Sequence, residues 1–152
     1  PKQEKRKIPT QLDDFTSPTV NTYSLETTIA EKLDAILDLM EFSSRMKDYY
    51  DIYYLSHKFD FEGKVLCEAL SKTFINREHN FTIEQFEQIM TFDSDDGMQK
   101  KWKAFKKKID VKMEEFPFIL QSINEFLCEP YTAVIKGTVF EKYWDANECS
   151  WN

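Results

Sequence analysis

Two short stretches place charged side chains where a helix should be apolar. In SLETTIAEKLDAILDLMEF, apolar residues recur at Leu25, Ile29, Leu33, Ile36, Leu37 and Met40, the spacing of one helical face. Advancing about 100° per residue puts Lys32 inside that arc, flanked by Leu25, Ile36 and Leu39 rather than by the outward-facing Glu31, Asp34 and Asp38. In RMKDYYDIYYL the same construction sets Asp48 between Ile52 and Leu55, within the buried band. Asp51 falls at the band's edge, toward Lys47 and Lys58. Opposite charges on consecutive helices are thus expected to face one interior, where either alone would be strongly unfavourable. Two outcomes are open: a structural ion pair, with Lys32 otherwise snorkelling to solvent, or a polar site at the mouth of the helical packing.

The chain can supply such an interior. Its 152 residues are 41% hydrophobic and 15% aromatic, enough to bury a core and too apolar for a disordered class. With 13 Phe against 3 Gly and 5 Pro, turn residues are scarce and an all-helical reading is favoured. A net charge of −7 excludes coating nucleic acid through bulk charge and leaves only a local basic patch. Cys67, Cys128 and Cys149 are odd in number and widely spaced, which suits a reducing compartment better than a disulfide framework. No apolar run nears the roughly 20 residues of a membrane span and no secretory leader is visible, so no membrane partner and a cytoplasmic location are expected. A start at PKQEKRK, without Met, is expected of a processed protein or a piece of a longer one.

The elements that must position Lys32 and Asp48 follow from caps and periodicity. Residues 1–22 read as a tail or an edge segment from a preceding domain, 23–130 as a helical domain, and 131–152 as an aromatic-rich tail. Ser24 caps a first helix over 24–42, and Ser43 and Ser44 break the chain before a second helix from Arg45 to His57. A third spans 61–77 with Leu66, Leu70 and Phe74 inward, and Thr82 with Gln85 forms a capping box for a short fourth. Met98, Trp102, Phe105 and Ile109 stripe a fifth, and Pro117 sits in the first turn of a sixth that ends at Pro130. The predicted fold is mainly α, an irregular bundle of about six helices with room for minor β structure at either end. Trp144 and Trp151 read as anchors of the tail, or as a partner-binding patch.

YSLETTIAEKLDAIL followed by RMKDYYDIYYL resembles the Ala-Glu-Lys-Leu-x-Ala and Arg-x-Lys-Asp-x-x-Asp pair of the AbiEii/AbiGii-type nucleotidyltransferase toxin family. MQKKWKAFKKK and FPFILQSINEFLCEP resemble that family's helical C-terminal half, so the resemblance runs from Tyr23 to Pro130. It implies a toxin of an abortive-infection or toxin–antitoxin system, in which a nucleotidyltransferase domain with a Gly-Ser element and an Asp-x-Asp metal site precedes a helical domain. For the intact parent it implies Mg2+ and a nucleoside triphosphate, and as partners that N-terminal domain, an antitoxin, and tRNA or other RNA. Lys32 matches the family's functional lysine, and Asp48 and Asp51 its second acidic motif. On that mapping Lys32 contacts triphosphate or transition-state charge and Asp48 is the catalytic or orienting acid. Asp51, Arg45 and Lys47 support them, with Asp51 able to hold Lys47.

The chain departs from the family at its catalytic core. It has no Gly-Ser pair, and its Asp-x-Asp, Asp93 to Asp95, lies in an acidic loop after a helix. Two-metal phosphoryl transfer needs carboxylates that bridge ions and phosphates. The chain alone is therefore expected to be inactive, without a metal or cofactor of its own, and to be the C-terminal part of such an enzyme or a remnant without the core. Among other signals, KKWKAFKKK offers Lys101, Lys103 and Lys107 for RNA, although its aromatics belong to the apolar stripe and the lysines read equally as a solvated face. His57 and His79 read as isolated surface residues without zinc spacing, and Met98 stands where an EF-hand needs Gly. The functional expectation is a helical domain that contributes Lys32 and Asp48 to a composite nucleotide-transfer site. The alternative is a non-catalytic helical interaction domain whose Lys32–Asp48 pair is structural.

Overall fold

The Ser24 side chain accepts a hydrogen bond from the Thr27 amide at 3.0 Å and starts helix α1, Leu25–Leu39. The computed structural model describes residues 24–109 and 112–152, so the segment read as a tail over 1–22 lies outside the described residues. α1 breaks at Met40, whose φ of 52° leaves the helical region, and a 3₁₀ turn at Met40–Phe42 leads to α2, Met46–Lys58. A two-residue strand β1, Phe61–Glu62, precedes α3, Gly63–Asn76. The capping box between Thr82 and Gln85 is made and begins α4, Ile83–Met90. A second 3₁₀ turn, Thr91–Ser94, joins α4 to α5, Asp96–Ile109, which the Asp95 carboxylate caps at the Met98 amide, 2.8 Å away. The fold is mainly α, as the periodicity predicts.

α1 is the centre of the bundle: it packs on α2, α3 and α4 and is buried around most of its circumference. α2 lies between α1, α5 and α6 and buries Met46, Tyr49, Ile52 and Leu55 in the common core with Leu33, Leu66, Leu70, Ile119 and Phe126. Each such side chain contributes about 1.5–3 kcal/mol by leaving water.

α6, Phe116–Lys136, runs past the expected end at Pro130. Proline has no N–H, so the carbonyl of residue 126 loses its helical donor there. The Trp151 indole N–H supplies the missing bond, donating to the Phe126 carbonyl at 2.9 Å. Gly137 then ends α6 with φ 69°, the left-handed conformation that favours glycine. Strand β2, Tyr143–Asp145, pairs antiparallel with β1 and with β3, Ser150–Trp151, so Trp144 stands opposite both Phe61 and Trp151. Gly63 allows this closure, since a Cβ there would meet the Lys142 carbonyl oxygen at 2.7 Å. Both tail tryptophans are anchors, because the Trp144 indole N–H also donates to a buried acceptor, the Ser56 carbonyl, at 2.7 Å.

Candidate functional site between the first two helices

Lys32 leaves the middle of α1 toward the first turns of α2, where Asp48 and Asp51 stand three residues apart on one helical face. Its ammonium lies 2.9 Å from Asp51 Oδ2 and 3.6 Å from Asp48 Oδ1. All three are buried, with 8% of Lys32, 2% of Asp48 and none of Asp51 exposed. The expected pairing of Lys32 with an inward Asp48 is present, but Asp51 is not at an edge. It is the deeper acid and the closer partner, because α2 is covered by three helices and its buried band is wider than one arc.

Two further cations close the cluster. Lys47 Nζ donates to the same Asp51 Oδ2 at 2.9 Å, the role expected for Asp51 as its holder. Arg45, at the N-terminal boundary of α2, brings Nε to 2.9 Å from Asp48 Oδ2, and its Nη2 donates to Oδ1 at 3.3 Å. Its side chain is 60% exposed, so Arg45 marks where the cluster meets the surface. Among the described residues, Asp48 Oδ2 and Asp51 Oδ1 are buried without an aligned hydrogen-bond donor, the Arg45 contact to Oδ2 being close but misaligned. Burial pushes the Asp48 carboxyl above the usual range, against the opposing pull of Lys32 and Arg45.

These carboxylates do not fit a divalent metal. Each is already held by cations at contact distance, and among the described residues no group of three Asp, Glu, His or Cys side chains converges on a metal position. Of the two acids in the Asp-x-Asp, Asp95 caps α5, and the Asp93 carbonyl accepts from the Gln99 side chain.

The basic helix α5 divides in two. Lys101 is turned inward and donates to the Glu41 and Ser43 carbonyls at 2.8 and 2.9 Å, clamping the α1–α2 connection. Lys103 and Lys107 are exposed. Lys101 is therefore engaged in the fold, whereas the other two remain on the solvated face.

A second buried carboxylate was misjudged from the sequence. Asp34, expected to face outward, is 1% exposed and is held by Arg77 Nη1 at 3.3 Å and His79 Nδ1 at 2.9 Å. His79 is thus half-buried between α1 and the end of α3, with Nε2 3.6 Å from Asp38, rather than an isolated surface residue. No periodicity could reveal this, because Arg77 and His79 lie past the last turn of α3.

A helical unit centred on a buried lysine–aspartate cluster, with an arginine at its surface, is the class that fold and site define. The family model for the nucleotidyl transferase AbiEii toxin of type IV toxin–antitoxin systems matches residues 1–126, and the chain belongs to that family. Membership implies an antitoxin as partner. No curated protein and no solved structure matches the chain. Among the described residues, no helix is long and apolar enough to cross a membrane.

Proposed function

We propose that this chain is the helical part of an AbiEii-type nucleotidyltransferase toxin and supplies Lys32 and Asp48 to a composite nucleotide-transfer site. A preceding nucleotidyltransferase domain completes the site and carries the Mg2+, for which the residues described here offer no fit. The observation that carries this reading is the incompleteness of the cluster. Among the described residues, Asp48 Oδ2 and Asp51 Oδ1 are buried without an aligned hydrogen-bond donor, and Arg45 carries the cluster to the surface.

Within that reading the Lys32 ammonium stabilises phosphate charge in a partly desolvated setting, with Arg45 meeting the anion at the surface. Asp48, its proton affinity raised by burial, takes the acceptor hydroxyl proton or orients that hydroxyl. Asp51 positions Lys32 and Lys47 and does not touch the reacting atoms. Lys103 and Lys107 are the exposed cations offered to an RNA acceptor.

A second reading has its own observation. Lys32 is nearer the fully buried Asp51 than Asp48, as a structural pair in a non-catalytic interaction domain would be.

The full-length toxin separates them by nucleotide transfer from labelled triphosphates, measured beside the melting temperature. Asp48→Asn is expected to lower transfer by about 10²-fold or more, the scale of a lost acid–base group, with melting held. Activity that follows only the folded fraction of Asp48→Asn and Arg45→Gln would leave the structural reading standing.

A further inference from the structure

One turn along α2 from Lys47 lies a cleft that the lysine–aspartate cluster does not use. Its volume is about 320 Å³, at the lower end of small-ligand clefts. One wall is Tyr50, Tyr53 and Tyr54; the other is Lys112, Met113 and Glu114, in the connection between α5 and α6.

The geometry points to this cleft as a binding site for a nucleobase that carries a phosphate. The inference rests on the nucleotide-transfer reading for its choice of ligand class, and on the cleft for everything else. Tyr50, Tyr53 and Tyr54 stand at i, i+3 and i+4, so their rings line one side of α2. Their rings are held by neighbours: Tyr50 lies 6.1 Å from Phe105, and Tyr53 lies 4.4 Å from His57 and edge-on to Phe118 at 6.2 Å. Tyr54 lies 6.0 Å from Tyr50, with the Lys58 ammonium 5.7 Å from its ring centroid. Tyr53 and Tyr54 pack partly against the core and remain half-buried, so the rest of their aromatic surface borders the cleft.

The opposite wall has the complementary chemistry. Met113 presents a polarisable thioether suited to the second face of a ring. Glu114 is held from below, where the Trp102 indole N–H donates to its carbonyl at 3.0 Å. The Glu114 carboxylate can accept from exocyclic amino or ring N–H donors, and the exposed Lys112 can meet a phosphate. Stacking on tyrosine with charges of both signs at the rim suits a nucleotide better than an apolar ligand or a bare anion. The base belongs to a free nucleotide or to the end of an RNA strand; both offer this chemistry.

The test is a titration of the 152-residue chain, followed through the Met113 methyl and tyrosine ring resonances. The probes are the four nucleoside 5′-monophosphates, the matching nucleosides, a single-stranded RNA hexamer, and inorganic phosphate. Tyr54→Ala is expected to weaken nucleotide binding about tenfold or more, and Tyr54→Phe, which keeps the stacking face, to stay within about twofold. Lys112→Ala is expected to weaken a monophosphate and leave the matching nucleoside unchanged. Binding of monophosphates identifies a free nucleotide as the source, and binding of the hexamer alone identifies a strand end. The inference is overturned by absence of binding to all nucleotide probes, by equal affinity of Tyr54→Ala and Tyr54→Phe, or by inorganic phosphate producing the same resonance changes. Catalysis does not enter this readout, so its failure is separable from failure of the Asp48→Asn transfer test.

Discussion

Lys32 belongs first to Asp51: its ammonium is 2.9 Å from Asp51 Oδ2 and 3.6 Å from Asp48 Oδ1, and Asp51 is the acid with no exposure. Removing one partner of a buried pair leaves the other charge uncompensated. Asp51→Ala removes the closer acid from Lys32 and an ion-pair partner from Lys47, and is expected to cost about 3–5 kcal/mol in urea denaturation. Asp48→Asn leaves Lys32 paired with Asp51 and is expected to leave stability nearly unchanged. The reverse order would mean that Asp48 holds the structure together.

Asp48 also sets a pH dependence. Burial raises its folded-state pKa above that of a free aspartate, so the folded protein keeps a proton that the unfolded chain has released. The stability it contributes is full below that unfolded value and is lost as pH rises through the folded one. Relative to Asp48→Asn, the wild type is therefore expected to lose stability as pH rises above about 4, read by denaturation at each pH. A relative gain would reverse the sign assigned to the shift.

Tyr49, beside Asp48 in sequence, buries its hydroxyl without a hydrogen-bond partner among the described residues, while its ring meets Phe116 edge-on at 5.2 Å. Burial and the neighbouring Asp48 charge both hold the phenol protonated. Tyr49→Phe keeps the ring and deletes the orphan, so stability is expected to be unchanged or to rise by up to about 1 kcal/mol. A clear loss in thermal or chemical denaturation would show that the hydroxyl is bonded in solution.

The proline in α6 and the last tryptophan are coupled through one carbonyl. Trp151→Phe deletes the donor to Phe126 and is expected to cost about 1–3 kcal/mol. In a Pro130→Ala background, the new amide at 130 restores the helical bond, and the same change should cost less. A double-mutant cycle with a coupling above about 0.5 kcal/mol is the expected result; simple additivity would contradict it.

On α5, Lys101 and its neighbours should separate cleanly. Lys101→Ala loses two charge-assisted bonds to the α1–α2 connection and is expected to cost about 1.5–3 kcal/mol or more. Lys103→Ala and Lys107→Ala should stay within about 0.5 kcal/mol of wild type. If the face meets RNA, the latter pair lowers affinity in a gel-shift assay and flattens its salt dependence. Unchanged affinity would assign those lysines to solvation alone.

Helices and caps were legible because each rests on nearby residues. Ser24, the Thr82–Gln85 box and the stripe at Met98 and Trp102 act within a turn or two of themselves. The inward Lys32 and Asp48 were legible for the same reason, as charges that break a local apolar period.

What needed the tertiary structure were choices among distant partners. Asp51 became the deeper acid because three helices cover α2, and Asp34 became buried because Arg77 and His79 arrive from the far end of α3. α6 continues through Pro130 while an indole from residue 151 satisfies the carbonyl that the proline leaves bare. The sequence by itself determined that the six described helices form and that a lysine and an aspartate turn inward. Only the tertiary structure decided which acid the lysine keeps and which oxygens stay unpaired, because burial depends on how many neighbouring elements cover a residue and periodicity reports only one face.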